Sequence, residues 1–212
     1  MLSYYTELVN KPISSPGTEI LVTDNQYILL KPSINYLQEK QGVFSKPEYT
    51  IKNKDGEEIY KCKEKTKNMK NVKLISNLKD VSLLVIRDGT SSYMEICDGT
   101  NDKKIYATIS TKNTIESEKY TINFYNQVSE KNETLYMNCD STYRSCGIFY
   151  GKETDGSPLI CKIIQMKSKS MFNNKTNYSI EIASGVDSLF MMGLAICLIE
   201  MKNLYQMDLM DD

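Results

Sequence analysis

The sequence predicts a mainly β chain, closed into an antiparallel barrel of about twelve strands around one apolar C-terminal helix. Three observations carry this. Short runs rich in Ile, Val, Leu, Tyr and Thr alternate with turn clusters over most of the 212 residues. Asp-Gly occurs four times, at Asp55-Gly56, Asp88-Gly89, Asp98-Gly99 and Asp155-Gly156, each between β-like runs where a tight hairpin needs positive φ. The segment 184–201, SGVDSLFMMGLAICLIEM, is apolar on every face of a helical wheel. A surface helix would keep a polar back. This one must be enclosed, and a barrel of about a dozen strands has an interior wide enough for one helix.

Residues 1–18 contain KPISSPGT and read as an extended leader. Strands are expected over 20–23, 27–31, 49–53, 58–63, 72–77, 82–87, 93–97, 104–110, 120–125, 134–138, 145–150, 159–167 and 178–182. The helix is expected over 184–202. Ser184 would cap it, and Asp187 three residues on would complete a capping box and complement the positive helix end. Gly193 and Ala195 are small, as required where strands press close. The barrel with its helix thus takes up 19–203, and 204–212 form an acidic tail. A membrane span is the alternative for the helix. Its uncharged part, Ser188–Ile199, is 12 residues. At that length it reaches about 18 Å, against a hydrocarbon core of about 30 Å, so the helix belongs inside the protein.

Composition removes several function classes. Basic and acidic residues balance at 26 against 27, and Arg87 and Arg144 are the only arginines, so no nucleic-acid partner is expected. The chain has no histidine, which excludes Ser–His and Cys–His nucleophile pairs and His-containing zinc sites. Its six cysteines form no CxxC pair and read as free thiols in a reducing, cytoplasmic setting. No catalytic residue, metal site or cofactor is expected. DGTND (98–102) could offer oxygen ligands to Ca²⁺ but lacks the spacing of a calcium loop and reads as a turn. GIFYGKE (147–153) is one residue short of a phosphate loop and has no Ser or Thr after its Lys.

The candidate ligand-binding residues are Lys61, Lys63, Lys65 and Lys67 in KCKEKTK. Strand alternation places all four on one face, with Tyr60 and Cys62 facing inward. Such a strip could hold anionic headgroups at about 1 kcal/mol per lysine. The competing reading is an ordinary solvated wall, interrupted by Glu64.

The ending IEIASGVDSLFMMGLAICLIEM, the hairpin YTIKNKDGEEIYKCKEK and the run MKNVKLISNLKDVSLLVIR together resemble the LURP-one-related family of the tubby C-terminal-like superfamily, itself related to phospholipid scramblases. The resemblance covers roughly residues 19–203. It implies a closed barrel of twelve antiparallel strands threaded by the C-terminal helix. Tubby relatives bind membrane phosphoinositides through basic residues on the barrel wall. The resemblance therefore implies a non-catalytic tubby-like module for phospholipid headgroups, a cytoplasmic monomer that is peripheral at membranes. Two alternatives stand beside it: a protein-interaction scaffold with no lipid ligand, and a scramblase-like membrane protein. The acidic calcium-binding and Cys-rich palmitoylated segments associated with scramblases have no match here.

Overall fold

Twelve consecutive strands form in the computed structural model, which describes residues 3–40, 48–67, 70–89, 93–112, 118–166 and 177–208. The strands are β1 Ser33–Lys40, β2 Glu48–Asn53, β3 Glu58–Lys67, β4 Lys70–Asn77, β5 Ser82–Asp88 and β6 Met94–Asp98. They continue with β7 Ile105–Lys112, β8 Glu118–Asn126, β9 Lys131–Cys139, β10 Ser145–Phe149, β11 Leu159–Met166 and β12 Asn177–Ile182. Each pairs antiparallel with its sequence neighbours. β1 also pairs with β12 (Ser33 opposite Ile182, Leu37 opposite Tyr178), which closes the barrel. Closure leaves no strand edge for another chain to extend. Bulges at Ile51/Lys52, Ile75/Ser76, Ile96/Cys97 and Ile148/Phe149 bend strands beside their hairpins, as a closing sheet requires.

The helix α2, Ser188–Asp208, runs through the middle. Leu189 through Ile199 are all buried. They pack on an inner lining that includes Leu37, Ile51, Ile75, Ile96, Ile122 and Ile180. This explains the wheel without a polar face: strands surround the helix on every side. Gly193 sits where a Cβ would lie 3.1 Å from Leu84 Cδ1 and 3.3 Å from Ile96 Cδ1.

Two expected strands, 20–23 and 27–31, are instead a cross-piece over the mouth where α2 begins. Ile20 makes a single parallel bridge to Val186 and Ile28 a single antiparallel bridge to Asp187, with a short 3-10 turn at Asn25–Tyr27 between them. β1 was not expected, because SINYLQEK buries Leu37 among polar neighbours and shows little alternation. The helix also starts later than expected. Gly185 turns the chain at φ 76°, Val186 and Asp187 then make the two bridges, and the cap is Asp187 rather than Ser184. The Ser184 hydroxyl instead bonds Ser15. At Asp55-Gly56 and Asp155-Gly156 only the glycines take positive φ; the aspartates do not. The first is a short hairpin loop with one left-handed residue; in the second, Gly156 ends a 3-10 turn, Glu153–Asp155, within the longer β10–β11 connection.

Part of the expected leader is helical as well. α1, Tyr4–Asn10, is capped by Ser3 and lies on the outer wall. Leu8 enters a small cluster with Phe149, Leu159 and Ile164. Gly147 makes this approach possible, since a Cβ there would meet Leu8 Cδ1 at 3.0 Å and the Phe149 ring at 2.8 Å. Lys162, buried beneath, donates to the carbonyls of Val9 and Lys11 at 3.2 and 3.3 Å and also pairs with Glu181. A cation there complements the negative end of α1. The tail residues 209–212 lie outside the described residues; α2 itself extends to Asp208.

Gly193→Leu should lower stability by about 1–3 kcal/mol, because the added side chain has no room between Leu84 and Ile96. Urea unfolding monitored by circular dichroism measures it; an unchanged midpoint would contradict the enclosed placement of α2. Asp187→Ala should cost about 1–3 kcal/mol or more, since it orphans the buried N–H of Val22 and its partners.

Candidate functional site

β3 stays paired with β4 as far as Lys67 opposite Lys70, so the alternation that starts at Tyr60 is not broken. Cys62 is fully buried and faces the core, which sends Lys61, Lys63, Lys65 and Lys67 to the outer wall together. At the usual rise per strand residue the four span about 20 Å. Two of them meet carboxylates: Lys63 lies 3.5 Å from Glu48, and Lys67 lies 2.6 Å from Asp102. Lys61 and Lys65 have no acidic partner among the described residues.

Glu64, which interrupted the lysines in sequence, points the other way. It turns inward and meets Lys73 at 2.8 Å, and Lys73 also lies 3.2 Å from Glu200 of α2. The Lys73 ammonium loses hydration by burial, but the two carboxylates more than compensate and raise its pKa. This triad fills the mouth where α2 emerges, so the strip outside is free of Glu64.

Beside the strip, a second apolar cluster forms on the outer wall from Val72, Val85 and Cys97, with Leu74 against it. The β6–β7 loop lies back over this region, as the Lys67–Asp102 pair shows. DGTND forms a turn. Asp98 Oδ1 accepts from Thr100 N, Thr100 Oγ1 and Asn101 N, and Oδ2 accepts from Tyr106 Oη at 2.7 Å. Its oxygens are thus filled by protein donors. No group of three metal-ligating side chains occurs among the described residues.

The wall opposite β3 holds a second site that no sequence motif marks. There α1, β8, β9 and the loops on either side of β10 enclose a cleft of about 380 Å³ lined by Tyr4, Tyr5, Lys119, Asn138, Arg144 and Glu153. The signal was faint. The residues come from four separate parts of the chain, and the α1 segment has the composition of an extended leader.

All six cysteines are free and buried. Burial pushes the thiols of Cys62, Cys146, Cys161 and Cys197 upward, which makes them unreactive core groups. No helix among the described residues is long and apolar enough to cross a membrane.

A family model described as LURP-one-related matches residues 35–199. No curated protein is similar enough to match. Among solved structures, the crystal structure of a protein from Arabidopsis thaliana superposes with a TM-score of 0.61 at 15% identity, over 85% of this chain and 98% of that one. At that identity the likeness establishes the fold.

The Asp98 turn carries a pH dependence. Burial works against its charge, but the bonds from Tyr106, Thr100 and Asn101 prevail and hold the carboxyl down at about 2. A folded-state value below the unfolded one, about 3.9, adds stability above that pH and loses it as pH falls from about 4 towards 2. Tyr106→Phe should move the Asp98 carboxyl back towards the ordinary range and shrink this acid-side loss. Carboxyl-carbon NMR titration reads the first effect and urea unfolding at stepped pH the second.

Proposed function

The chain belongs to the LURP-one-related family, and we propose that it works as a non-catalytic module that binds anionic phospholipid headgroups, phosphoinositides in particular, on the lysine face of β3. One observation carries the reading: β3 keeps its register through Lys67, so four lysines share a single outward face. A flat row of cations on a rigid wall matches a plane of headgroups, and each lysine near an anionic leaflet contributes about 1 kcal/mol.

The pairs to Glu48 and Asp102 do not lock the strip. The side chains of Lys63 and Lys67 are 47% and 51% exposed, and exposed pairs are worth about 0–1 kcal/mol. A headgroup phosphate competes on equal or better terms. The cytoplasmic leaflet, where anionic lipids concentrate, is the surface this chemistry fits, and six reduced cysteines agree with that side of a membrane. On this reading the protein attaches peripherally and needs no second subunit.

Sedimentation with phosphatidylcholine vesicles, with and without phosphatidylinositol phosphates, tests the proposal. The expected result is binding only to the anionic vesicles, falling about 30-fold in Lys61→Ala/Lys65→Ala for a loss of about 2 kcal/mol. Equal recovery with both vesicle types would overturn it. A stoichiometric protein partner whose capture ignores the lysine substitutions would turn the assignment to a protein scaffold.

A further inference from the structure

The cleft beneath α1 differs from the lysine strip in where its charges stand. Its two carboxylates are fully engaged by the protein. Asp140 accepts from Ser145 N, Ser145 Oγ, Thr142 Oγ1 and Arg144 Nε. Glu153 accepts from Lys11 Nζ at 2.9 Å, Tyr4 Oη at 3.2 Å and Asn138 Nδ2 at 2.8 Å. Its cations are not engaged in the same way. Lys119 and Lys152 meet no acceptor among the described residues, although Lys119 is half-buried. Arg144 is tethered through Nε alone, to Asp140 and to Thr142 Oγ1 at 2.7 Å, and its guanidinium lies 5.5 Å over the Tyr5 ring. Its two terminal nitrogens meet no acceptor among the described residues.

Lys119 and Arg144 line the main cleft, and Lys119 and Lys152 line a smaller cavity of about 140 Å³ that shares Lys119, Asn138 and Glu153 with it. The adjoining cavities therefore present two ammonium groups and the outer nitrogens of one guanidinium, two satisfied carboxylates and a wall of Tyr4, Tyr5 and Tyr136. The main volume falls at the lower end of the range for small-molecule sites.

We propose that this groove binds the phosphate monoester of a small soluble molecule, with Arg144 and Lys119 on the phosphate and the tyrosine wall against its body. A phosphate monoester carries nearly two negative charges near neutral pH and three strong acceptor oxygens, which the three cations match. The Arg144 guanidinium supplies the planar, two-pronged donor that such a group favours. The position selects a soluble ligand over a headgroup. β9 is six strands from β3 around the closed ring of twelve, so when the lysine strip faces a membrane this groove faces away from it.

Calorimetric titration of the full chain with glucose phosphate, with glucose as the uncharged control, tests this. Saturable binding of glucose phosphate and none of glucose is expected. Lys119→Ala and Arg144→Ala should each weaken it about tenfold or more, with unfolding temperatures showing that the variants remain folded. Lys61→Ala/Lys65→Ala should leave it unchanged, which separates this site from the lipid strip whether or not that strip binds. Absence of saturable heat at millimolar ligand, or binding that survives both cleft substitutions, would overturn the proposal. So would Lys119-dependent binding to phosphatidic acid vesicles without binding of free glucose phosphate.

Discussion

The fold depends on a carboxylate with no exposed surface. Asp187 is 0% exposed and accepts four hydrogen bonds: from Val22 N, Thr23 N and Thr23 Oγ1 on one oxygen, and from Phe190 N on the other. Burial pushes its carboxyl above the ordinary range, and these donors pull it back. One oxygen caps α2; the other fastens the cross-piece that closes the barrel's mouth. Without it, the first turn of an interior helix and two backbone N–H groups of the cross-piece would lose their partner in a place water does not reach. Asn126, likewise fully buried, secures the same segment from β8, accepting from Leu21 N and donating to the Glu19 carbonyl.

The opposite mouth is held by charge. Lys73 stands between Glu64 and Glu200, and Lys202 reaches Gln165 and the Tyr178 hydroxyl at 3.2 and 3.3 Å. Buried ion pairs contribute little net stability, because desolvation offsets attraction, but breaking one leaves an uncompensated charge. These groups therefore set the depth at which α2 sits rather than how strongly it is held. With apolar contacts all round, the helix could slide; carboxylates and cations at fixed heights at both ends remove that freedom. The outer wall is then rigid enough to carry two unlike surfaces on opposite sides, the strip on β3 and the groove under α1.

Much of this was legible in the sequence. The all-round apolar character of 188–199 and the repeated Asp-Gly turns specify an enclosed helix and a hairpin-rich barrel, and both depend on local periodicity. Lys61, Lys63, Lys65 and Lys67 share a face for the same reason. What failed to show depends on distant partners. Residues 20–23 have strand composition but meet single residues of two different segments, Gly185–Asp187 and Asn126–Gln127, rather than a strand ladder, so they become a tie across the mouth. SINYLQEK has weak alternation but gains a partner on both sides, β2 and β12, and becomes a strand. The groove was invisible because Tyr5, Lys119, Arg144 and Lys152 are each unremarkable alone. Strand pairing brings Lys119, Arg144 and Lys152 to one part of the wall, and the packing of α1 against Gly147 adds Tyr5 to them.

The interior helix also sets the order of events in synthesis. Eleven of the twelve strand pairings join neighbours in sequence and could form as a meander while the chain is still growing. The twelfth, β1 with β12, spans nearly the whole domain, and the core that every inner face requires follows β12. Until residues beyond Ile182 leave the ribosome, the emerging sheet has an apolar inner face and nothing to fold it around. The inner faces of the strands therefore stay uncovered during synthesis, and the domain completes only after its last helix is made.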